Sequence, residues 1–394
     1  MKLLIITSIF PPEIGGPATY TYEIAQRFKK KHQIRVLTLT ENPIRIDGVD
    51  IFTACLPIFS KKEQLLYRVA RFLGTYSTMF LYLVKNYRKY DLVYVQSPDY
   101  LGFMSTIFAK VLRKPIVLKF VGDTAWENAS RERHTSKLLD EFLESPEGGL
   151  STNLMLHIQR FVFRHVKKIV TPSQYLGNVL MTYYRVNSKK IEVIPNAVEL
   201  ADYEKPITSA KLDYGKPVIC TIGRLVPWKG IDRIISIIPK LVKKYPELTL
   251  LVIGDGPERQ NLEKLAREIS IDKHITFPGV MEHEKVIDIL RISDVFVLNS
   301  TYEGLPHVVI EAMACKTPVI ATGIKGTDEV VKNKETGLLT DIDNEQGLLD
   351  KLTYVFENNK EIRNLAETAY RNIRDNFTWN KTLQELESLL EKTI

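Results

Sequence analysis

Two glutamates stand on either side of a short turn in the last third of the chain. Glu303 and Glu311 are eight positions apart, and the turn between them begins Gly304, Leu305 and Pro306. The apolar run at 295–298 predicts a strand before the turn, and the residues after it predict a helix. Because the orphan amides of a helix N-terminus suit an anion, the turn is a candidate phosphate site. Glu311, on an apolar helix face, is a candidate acceptor of hydrogen bonds from hydroxyl groups. A plain strand–helix unit with two surface acids is the alternative.

A second loop carries two cations between glycines. Arg224 and Lys229 lie in the segment 223–230, which begins at Gly223 and follows the apolar run 217–222. Ligands of α/β sheets bind at the carboxyl ends of strands, and guanidinium and ammonium groups suit the charges of a nucleotide diphosphate. The same cations would stabilise the charge that grows on a departing phosphate. A solvent-facing basic loop is the alternative for either residue taken alone.

Short apolar runs, separated by longer amphipathic segments, must position these loops. The predicted strands of the first half are 3–7, 35–40, 92–96, 116–120 and 168–171. Those of the second half are 217–222, 248–253, 275–277, 295–298 and 318–321. Compact apolar strands of this kind are typical of a parallel sheet that is covered on both faces. The sequence therefore predicts an α/β protein with two doubly wound parallel-sheet domains that face each other across a cleft.

The two loops also resemble those of a known family. Glu303-x7-Glu311, with Gly-Leu-Pro inside and Ala-Met-Ala after it, and Gly-Arg-Leu-x-x-x-Lys-Gly at 223–230 resemble the signatures of the family-four retaining glycosyltransferases of GT-B fold. The resemblance implies that Glu311 holds the ribose of a nucleotide, that Glu303 contacts the donor sugar, and that the amides between them bind the diphosphate. It covers nearly the whole chain, strongly in 216–340 and weakly in 41–165.

A domain plan follows from the same resemblance. It implies two Rossmann-like domains, an acceptor-side domain at 1–195 and a nucleotide-sugar donor domain at 196–375. The boundary falls where an apolar strand ends at Pro195. The terminal helix, at 376–394, is expected to cross back onto the first domain.

Further glycines are expected at the cleft. Gly15 and Gly16 follow the first predicted strand, where a glycine pair lets the backbone approach a ligand. In the family this loop faces the diphosphate and the acceptor. Gly254 belongs to a turn that lines the cleft in the family, and Gly279 and Val280 stand where the family's backbone accepts the nucleobase.

The first domain departs from the family at one place. Family members commonly carry a histidine near the anomeric carbon, and in this chain Val121 stands there, followed by Gly122 and Asp123. Asp123, with Trp126 and Glu127 close behind, is the candidate to replace that histidine at the junction of donor and acceptor. The alternative role for Asp123 is to cap the following helix.

Charge is unevenly distributed along the chain. The net charge is +7, and residues 1–195 hold 28 Lys and Arg against 16 Asp and Glu, whereas the remainder holds 26 against 31. The basic half predicts an anionic partner, such as a membrane surface or a phosphate-bearing acceptor, with a solvated basic surface as the alternative. The amphipathic segment 64–90 would suit either a membrane surface or a docked helix. The charged segment 127–150 is predicted to be an insertion.

Length and composition exclude several classes of protein. With 394 residues the chain can form two domains with complete cores. No apolar run approaches the ~20 residues that cross a bilayer. The three cysteines include no Cys-x-x-Cys pair, so neither a zinc site nor a disulfide framework is predicted. A cytoplasmic protein is expected, at most associated with the inner membrane face, without a metal, a cofactor or a nucleic-acid partner.

Together with the family resemblance, these observations predict a metal-independent hexosyltransferase, and the resemblance implies that it is retaining. It would move a sugar from a nucleotide-diphosphate donor to a hydroxyl of a glycan, a lipid-linked sugar or a small molecule, with Asp123, Glu303, Arg224 and Lys229 as catalytic residues. Two alternatives stay open. A nucleotide-binding oxidoreductase would use a similar sheet, although the Gly-x-Gly at 254–256 lacks the third glycine of that motif. A non-catalytic sugar-nucleotide-binding protein would explain the missing histidine.

Overall fold

The computed structural model describes residues 1–54, 65–207 and 214–394, without the side chains of residues 65–68. The chain forms two separate sheets, one of seven strands and one of six. Every strand pair within them is parallel. The prediction of two doubly wound parallel-sheet units is therefore confirmed.

The first sheet is formed by the first half of the chain. Its strands are β1 (Lys2–Thr7), β2 (Gln33–Thr38), β3 (Asp50–Thr53), β4 (Leu92–Val95), β5 (Ile116–Lys119), β6 (Lys168–Thr171) and β7 (Ile191–Val193). Their order across the sheet is β3-β2-β1-β4-β5-β6-β7. The helices of this half are α1 (Gly16–Phe28), α2 (Leu65–Lys85), α3 (Tyr100–Val111), α4 (Thr124–Arg131), α5 (Leu139–Glu144), α6 (Leu150–His165) and α7 (Gln174–Thr182).

The second sheet follows the same plan. Its strands are β8 (Val218–Ile222), β9 (Thr249–Ile253), β10 (Ile275–Gly279), β11 (Val295–Leu298), β12 (Val319–Thr322) and β13 (Leu338–Thr340), in the order β10-β9-β8-β11-β12-β13. The remaining helices are α8 (Leu200–Tyr203), α9 (Ile231–Val242), α10 (Arg259–Glu268), α11 (His283–Ile292), α12 (His307–Ala314), α13 (Glu345–Glu357), α14 (Asn359–Asn376) and α15 (Trp379–Thr393).

Burial on both faces explains why the central strands are apolar throughout. In β1, Leu3 and Ile5 pack into one hydrophobic cluster. Leu4 and Ile6 pack into another. Successive side chains of a strand point to opposite faces of its sheet, so the two clusters lie on opposite sides of the first sheet. Both sides of such a strand must therefore be hydrophobic.

The strand order of each sheet reverses next to its first strand. In the second sheet β8 lies between β9 and β11, and the helices that follow β8 and β11, α9 and α12, pack on opposite faces of the sheet. A crevice opens at such a point at the carboxyl ends of the strands, and it is the usual place for a ligand in open α/β sheets. The loops with the cations and the glutamate pair are those that leave β8 and β11.

Two strands and one segment depart from the sequence-based expectations. The edge strand β3 is not fully buried and β13 has only three residues, so neither shows the apolar run that identified the others. The predicted insertion at 127–150 instead contains the end of α4 and all of α5. Leu139 and Phe142 of α5 are buried in the core of the first half, which ties the segment to the fold despite its charge.

The terminal helix α15 packs against the first sheet. Trp379, Leu386 and Leu390 belong to the same hydrophobic cluster as β1, and the ring of Trp379 lies 6.0 Å from that of Tyr20. This contact agrees with a helix that crosses back. The domain limits at 195 and 375 stay predictions.

Helix α2 has apolar residues on two faces. Tyr76, Met79 and Leu83 are buried against the core, whereas Leu73 and Leu81 are exposed. The start of the predicted apolar stripe lies outside the described residues. In the described part of the chain, no helix is both long enough and apolar enough to cross a membrane.

Candidate active site

The pairing of β8 with β11 brings the two candidate loops together. The Thr301 amide donates to the Trp228 carbonyl at 2.8 Å, and Asn299 Nδ2 donates to the Gly230 carbonyl at 3.0 Å. Gly230 has a left-handed φ of +58°, and a β-carbon there would lie 2.3 Å from the Asn299 carbonyl oxygen. Glycine is therefore required for the close approach of the two loops.

The ammonium group of Lys229 and the carboxylate of Glu303 form an ion pair across these loops. Lys229 Nζ lies 2.6 Å from Glu303 Oε1, and Ser300 Oγ donates to the same oxygen at 2.6 Å. Glu303 is only 8% exposed, so its orientation is fixed before any ligand binds. Arg224 is exposed, and its side chain makes no hydrogen bond or ion pair with the described residues. A cation without a protein partner at a crevice is suited to an anionic ligand.

The turn after Glu303 offers free amides. Within the described residues, the N–H groups of Gly304 and Leu305 have no acceptor. Pro306 then caps α12 and has no N–H to satisfy. The Gly304 carbonyl faces the first half of the chain and accepts a hydrogen bond from Ser173 Oγ. The turn can therefore donate to a phosphate with its amides while its carbonyl is held in place.

Glu311 lies in a cluster of polar side chains. His283 Nε2 is 2.9 Å from Glu311 Oε1, His307 Nδ1 is 3.5 Å from it, and the Tyr203 hydroxyl donates to it at 3.3 Å. Burial favours the neutral acid, but the two histidines outweigh it and hold the pKa of Glu311 well below its ordinary value. The carboxylate is therefore ionised and can accept hydrogen bonds from hydroxyl groups.

The two histidines respond to the same contacts. The pKa of His283 is raised, chiefly by its hydrogen bond to Glu311. The pKa of His307 is also raised, because the effect of burial is outweighed by Glu311 and by the Ala197 carbonyl. From the sequence, neither histidine is assigned to the site. The i, i+4 spacing of His307 and Glu311 on one helix could have indicated the first of these contacts, whereas His283 is brought in only by the packing of α11.

The remaining glycines predicted at the site line the ends of neighbouring strands. A β-carbon at Gly254 would lie 2.0 Å from the Gly223 carbonyl oxygen, so these two turns need glycine to pack together. Gly279 has a φ of +80° and its carbonyl accepts from the Gly254 amide at 2.9 Å. The side chain of Val280 is exposed.

The glycine pair after β1 is placed differently. A β-carbon at Gly15 would lie 2.7 Å from Ile9 Cδ1, whereas one at Gly16 would meet nothing within 4 Å. Gly16 begins α1, with Pro17 in its first turn. The loop thus ends in a helix N-terminus at the carboxyl edge of the first sheet.

The structure does not support Asp123 as the group that replaces the family histidine. Asp123 is 0% exposed and caps α4 by accepting from the Trp126 amide at 2.9 Å. Gln159 Nε2 donates to its other oxygen at 3.1 Å, and the Tyr184 hydroxyl donates to that oxygen too. Burial raises the pKa of Asp123, and these hydrogen bonds lower it in part. The carboxylate is therefore occupied inside the first half of the chain, and capping is the role that its contacts favour.

One group of potential metal ligands occurs in the described residues, and it lies away from the crevice. His32, Glu387 and Glu391 converge where α15 meets the residue before β2. The amino ends of the parallel strands are at this edge of the sheet, so the cluster is on the opposite edge from the candidate site.

The ends of β8 and β11 thus carry two cations, a buried carboxylate, free amides and an ionised carboxylate. Such a set of groups is suited to a ligand that has both phosphate and hydroxyl groups. A model described as Glycosyltransferase Family 4 matches residues 14–202, and a model described as Glycosyl transferases group 1 matches residues 203–372. Together they span most of the chain. The protein is a glycosyltransferase of family four with the GT-B fold.

Individual relatives agree with this assignment. An uncharacterized glycosyltransferase of Methanocaldococcus jannaschii is 25% identical, over 100% of this chain and 99% of its own length. The alpha-monoglucosyldiacylglycerol synthase of Streptococcus pneumoniae is 22% identical over 86% of this chain and 75% of its own. The structure of Anabaena HepE in complex with UDP and glucose superposes with a TM-score of 0.76 at 19% identity, over 99% of both chains.

Proposed function

We propose that the protein is a retaining, metal-independent glycosyltransferase that uses a nucleoside diphosphate sugar, with a uridine nucleotide as the first candidate. The observation that carries the proposal is the order of groups along the crevice. Glu311 lies about one turn into α12, and the free amides of Gly304 and Leu305 lie before that helix. Glu303 precedes these amides, and the Lys229 ammonium group lies 2.6 Å from its carboxylate. This order matches ribose, diphosphate and sugar.

Each group has a chemical role in this proposal. Glu311 accepts hydrogen bonds from the ribose hydroxyls, and Arg224, Lys229 and the turn amides hold the diphosphate. As the bond between sugar and phosphate breaks, negative charge grows on the departing phosphate, and these fixed cations and dipoles stabilise it without reorganisation. Glu303 orients the sugar. The acceptor hydroxyl attacks from the side that the nucleotide leaves, and its proton passes to the departing phosphate.

The choice of uridine is supported by a structural neighbour, because HepE was solved with UDP and glucose. The acceptor is proposed to be a hydroxyl of a glycan, a lipid-linked sugar or a small molecule. A relative that is an alpha-monoglucosyldiacylglycerol synthase favours a lipid. Exposed Leu73 and Leu81 on α2, in the basic half of the chain, support peripheral contact with an anionic membrane, which co-sedimentation with anionic vesicles tests.

A thermal-shift panel with UDP, GDP, ADP and NAD tests the donor site. A ligand that binds only the folded protein raises its melting temperature, by an amount that depends on how far its concentration exceeds the dissociation constant. We expect one nucleoside diphosphate to raise the melting temperature, and Glu311→Ala to abolish that shift. Glu282→Ala, at an exposed position before α11, is the matched control and should keep it.

A shift with NAD alone would favour the oxidoreductase, and no shift with any nucleotide would contradict the proposal. Hydrolysis of a UDP-sugar by the purified protein separates an enzyme from a binding protein. Nuclear magnetic resonance of the product's anomeric centre tests retention, and activity that persists in a chelator tests metal independence.

A further inference from the structure

The first half of the chain presents one unpaired carboxylate to the candidate site. Glu127 lies in the first turn of α4 and is half-buried. Its carboxylate makes no hydrogen bond or ion pair with the residues that the structure describes. A β-carbon at Gly122 would lie 2.2 Å from Glu127 Oε1, far inside van der Waals contact. Residue 122 must therefore be glycine for the carboxylate to occupy this place.

The hydroxyl of Tyr302 faces the same spot from the other half of the chain. The β-carbon that would collide with Glu127 at residue 122 would also lie 3.2 Å from the Tyr302 hydroxyl oxygen. That hydroxyl is buried and has no hydrogen-bond partner among the described residues. Such a group is unusual in a folded protein unless water or a ligand completes its hydrogen bonding. Tyr302 directly precedes Glu303, so this hydroxyl comes from the same loop as the carboxylate that is proposed to orient the sugar.

Aromatic contacts fix the helix turn that carries Glu127 against both donor loops. The ring of Trp126 lies 4.5 Å from that of Tyr302 and 5.3 Å from that of Trp228. Trp126 Nε1 also donates to the Lys137 carbonyl at 2.9 Å. Since Trp228 precedes Lys229 and Tyr302 precedes Glu303, this helix turn is held against the two loops that carry the ion pair.

The charges around Glu127 indicate what it faces. Burial is the main reason that its pKa is raised to about 7, and the carboxylate of Asp123 raises it further. Arg224 and Lys229, from the β8 loop, and Arg131, from its own helix, lower it in part. The carboxylate is thus within electrostatic range of the two cations that are proposed to hold the diphosphate.

We propose that Glu127 binds the transferred sugar, and that its carboxylate accepts a hydrogen bond from a hydroxyl group of the donor sugar, across the cleft from Glu303. A carboxylate repels phosphate and so does not bind the diphosphate itself. The chemical group that lies beside the phosphates, and that offers hydroxyl donors to a carboxylate, is the sugar. Glu127 then supplies the polar contact that the chain lacks at Val121, where the family has a histidine. This inference rests on the proposed function and adds a sugar contact to it.

Isothermal titration of the full chain with UDP and with UDP-sugars tests the inference. The probes are UDP, UDP-glucose, UDP-galactose and UDP-N-acetylglucosamine. We expect Glu127→Ala to weaken binding of the tightest UDP-sugar by about tenfold or more, as for loss of a hydrogen bond to a charged group. UDP, which has no sugar hydroxyl at this position, should bind the variant as it binds the wild type.

A second variant tests the geometry without removing the carboxylate. In Gly122→Ala the added methyl displaces the far end of the Glu127 side chain, so the same selective loss of UDP-sugar affinity is expected. Glu127→Gln keeps the shape and one acceptor oxygen, and it should lose less. Glu132→Ala removes an exposed carboxylate at the end of the same helix and should change neither affinity.

Each outcome decides between the inference and the function on which it rests. If Glu127→Ala and Gly122→Ala leave the ratio of UDP-sugar to UDP affinity unchanged, or lower both affinities equally, Glu127 does not bind the sugar. The nucleotide site then stands. If the wild type binds no UDP and Glu311→Ala changes nothing, the donor site itself is wrong and the inference fails with it.

Discussion

The two halves of the molecule expose their candidate ligand groups in different ways. On the β8 and β11 side, the groups sit on loops whose glycines are required by close backbone contacts, such as that of Gly230 with the Asn299 carbonyl oxygen at 2.3 Å. In the first half of the chain, the carboxylate of Glu127 comes from the first turn of α4 and lies against Gly122. The loops after β8 and β11 therefore require particular residue types at fixed spacings. The contact in the first half requires only a glycine at residue 122 and an acidic residue at 127.

This difference has a functional meaning. Under the proposed function, the β8 and β11 loops bind a diphosphate that many enzymes share and are constrained to one set of residues, whereas the other half meets the acceptor and is not. The charges follow the same division, since the excess of basic residues lies in 1–195. Variants of the β8 and β11 loops and variants of the first half should therefore differ in how strongly they act. They should also differ in whether turnover, ligand affinity or the free energy of unfolding changes.

Loss of the loop cation is expected to have the largest effect. Lys229→Ala removes a charge beside the departing phosphate and leaves Glu303, 8% exposed, without its ionic partner. Turnover should fall by about 10²–10³, the effect of removing one preorganised electrostatic contact to the transition state. Steady-state kinetics with the UDP-sugar selected by titration measures it.

Two matched variants sharpen this result. Lys229→Arg keeps the charge and should retain part of the turnover, although its planar fork fits the site differently. Lys243→Ala removes an exposed lysine next to α9 and should leave turnover unchanged. If Lys229→Ala stays within twofold of the wild type, the cation does not act on the leaving phosphate.

A substitution at Asp123 should affect stability rather than chemistry. Asp123→Ala removes the cap of α4 and leaves the Tyr184 hydroxyl without its acceptor. Gln159 Nε2 loses one of its two hydrogen bonds and keeps the one to the Tyr184 hydroxyl. We expect a loss of about 2 kcal/mol in the free energy of unfolding, from the cap and the unpaired polar groups. Thermal unfolding followed by circular dichroism measures it.

The ratio of UDP-sugar to UDP affinity should stay as in the wild type in the Asp123 variant. An unchanged melting temperature with a selective loss of transfer would restore Asp123 as a functional residue, and it would break the contrast with Glu127. Asp123→Asn, which keeps the shape and one oxygen, should be intermediate in stability.

Much of this molecule was predictable because its signals are local. The ten predicted apolar runs correspond to ten of the thirteen strands, and the strand expected to end at Pro195 corresponds to β7. The loop motifs lie where the strand order places a ligand site. The edge strands β3 and β13 were not predicted, because they are short or partly exposed. The sequence is compatible with two roles for Asp123, replacement of the family histidine or capping of α4. Its burial and its three hydrogen bonds, which the sequence does not record, favour capping.

Glu127 and His283 could not be assigned from the chain alone for a different reason. Their importance depends on contacts between segments that are distant in sequence, namely Gly122 with Tyr302 for the first and α11 with α12 for the second. A pattern of residue types records a spacing along one element. It does not record which side chain from another element completes the site.

The smallest effect is expected at the ribose end of the donor site, and it depends on pH. Glu311 is ionised, and the raised pKa values of His283 and His307 keep these rings protonated on its carboxylate. A ribose hydroxyl that binds Glu311 Oε1, the oxygen that both histidines contact, must compete with them. Below the ordinary histidine pKa of about 6.5 this competition is strongest, and it weakens as pH rises through the raised pKa values of the two histidines. UDP affinity of the wild type should therefore increase between pH 6 and pH 8.5.

Removal of one histidine should flatten this dependence. His283→Ala frees one side of Glu311, so at pH 6 we expect UDP to bind about three- to tenfold more tightly than in the wild type, because only one of two competing hydrogen bonds is lost. At pH 8.5 the two proteins should agree. His157→Ala, at an exposed position on α6, is the control and should follow the wild type throughout. Weaker binding of UDP by His283→Ala at pH 6 would mean that the histidine contacts the nucleotide rather than competing with it.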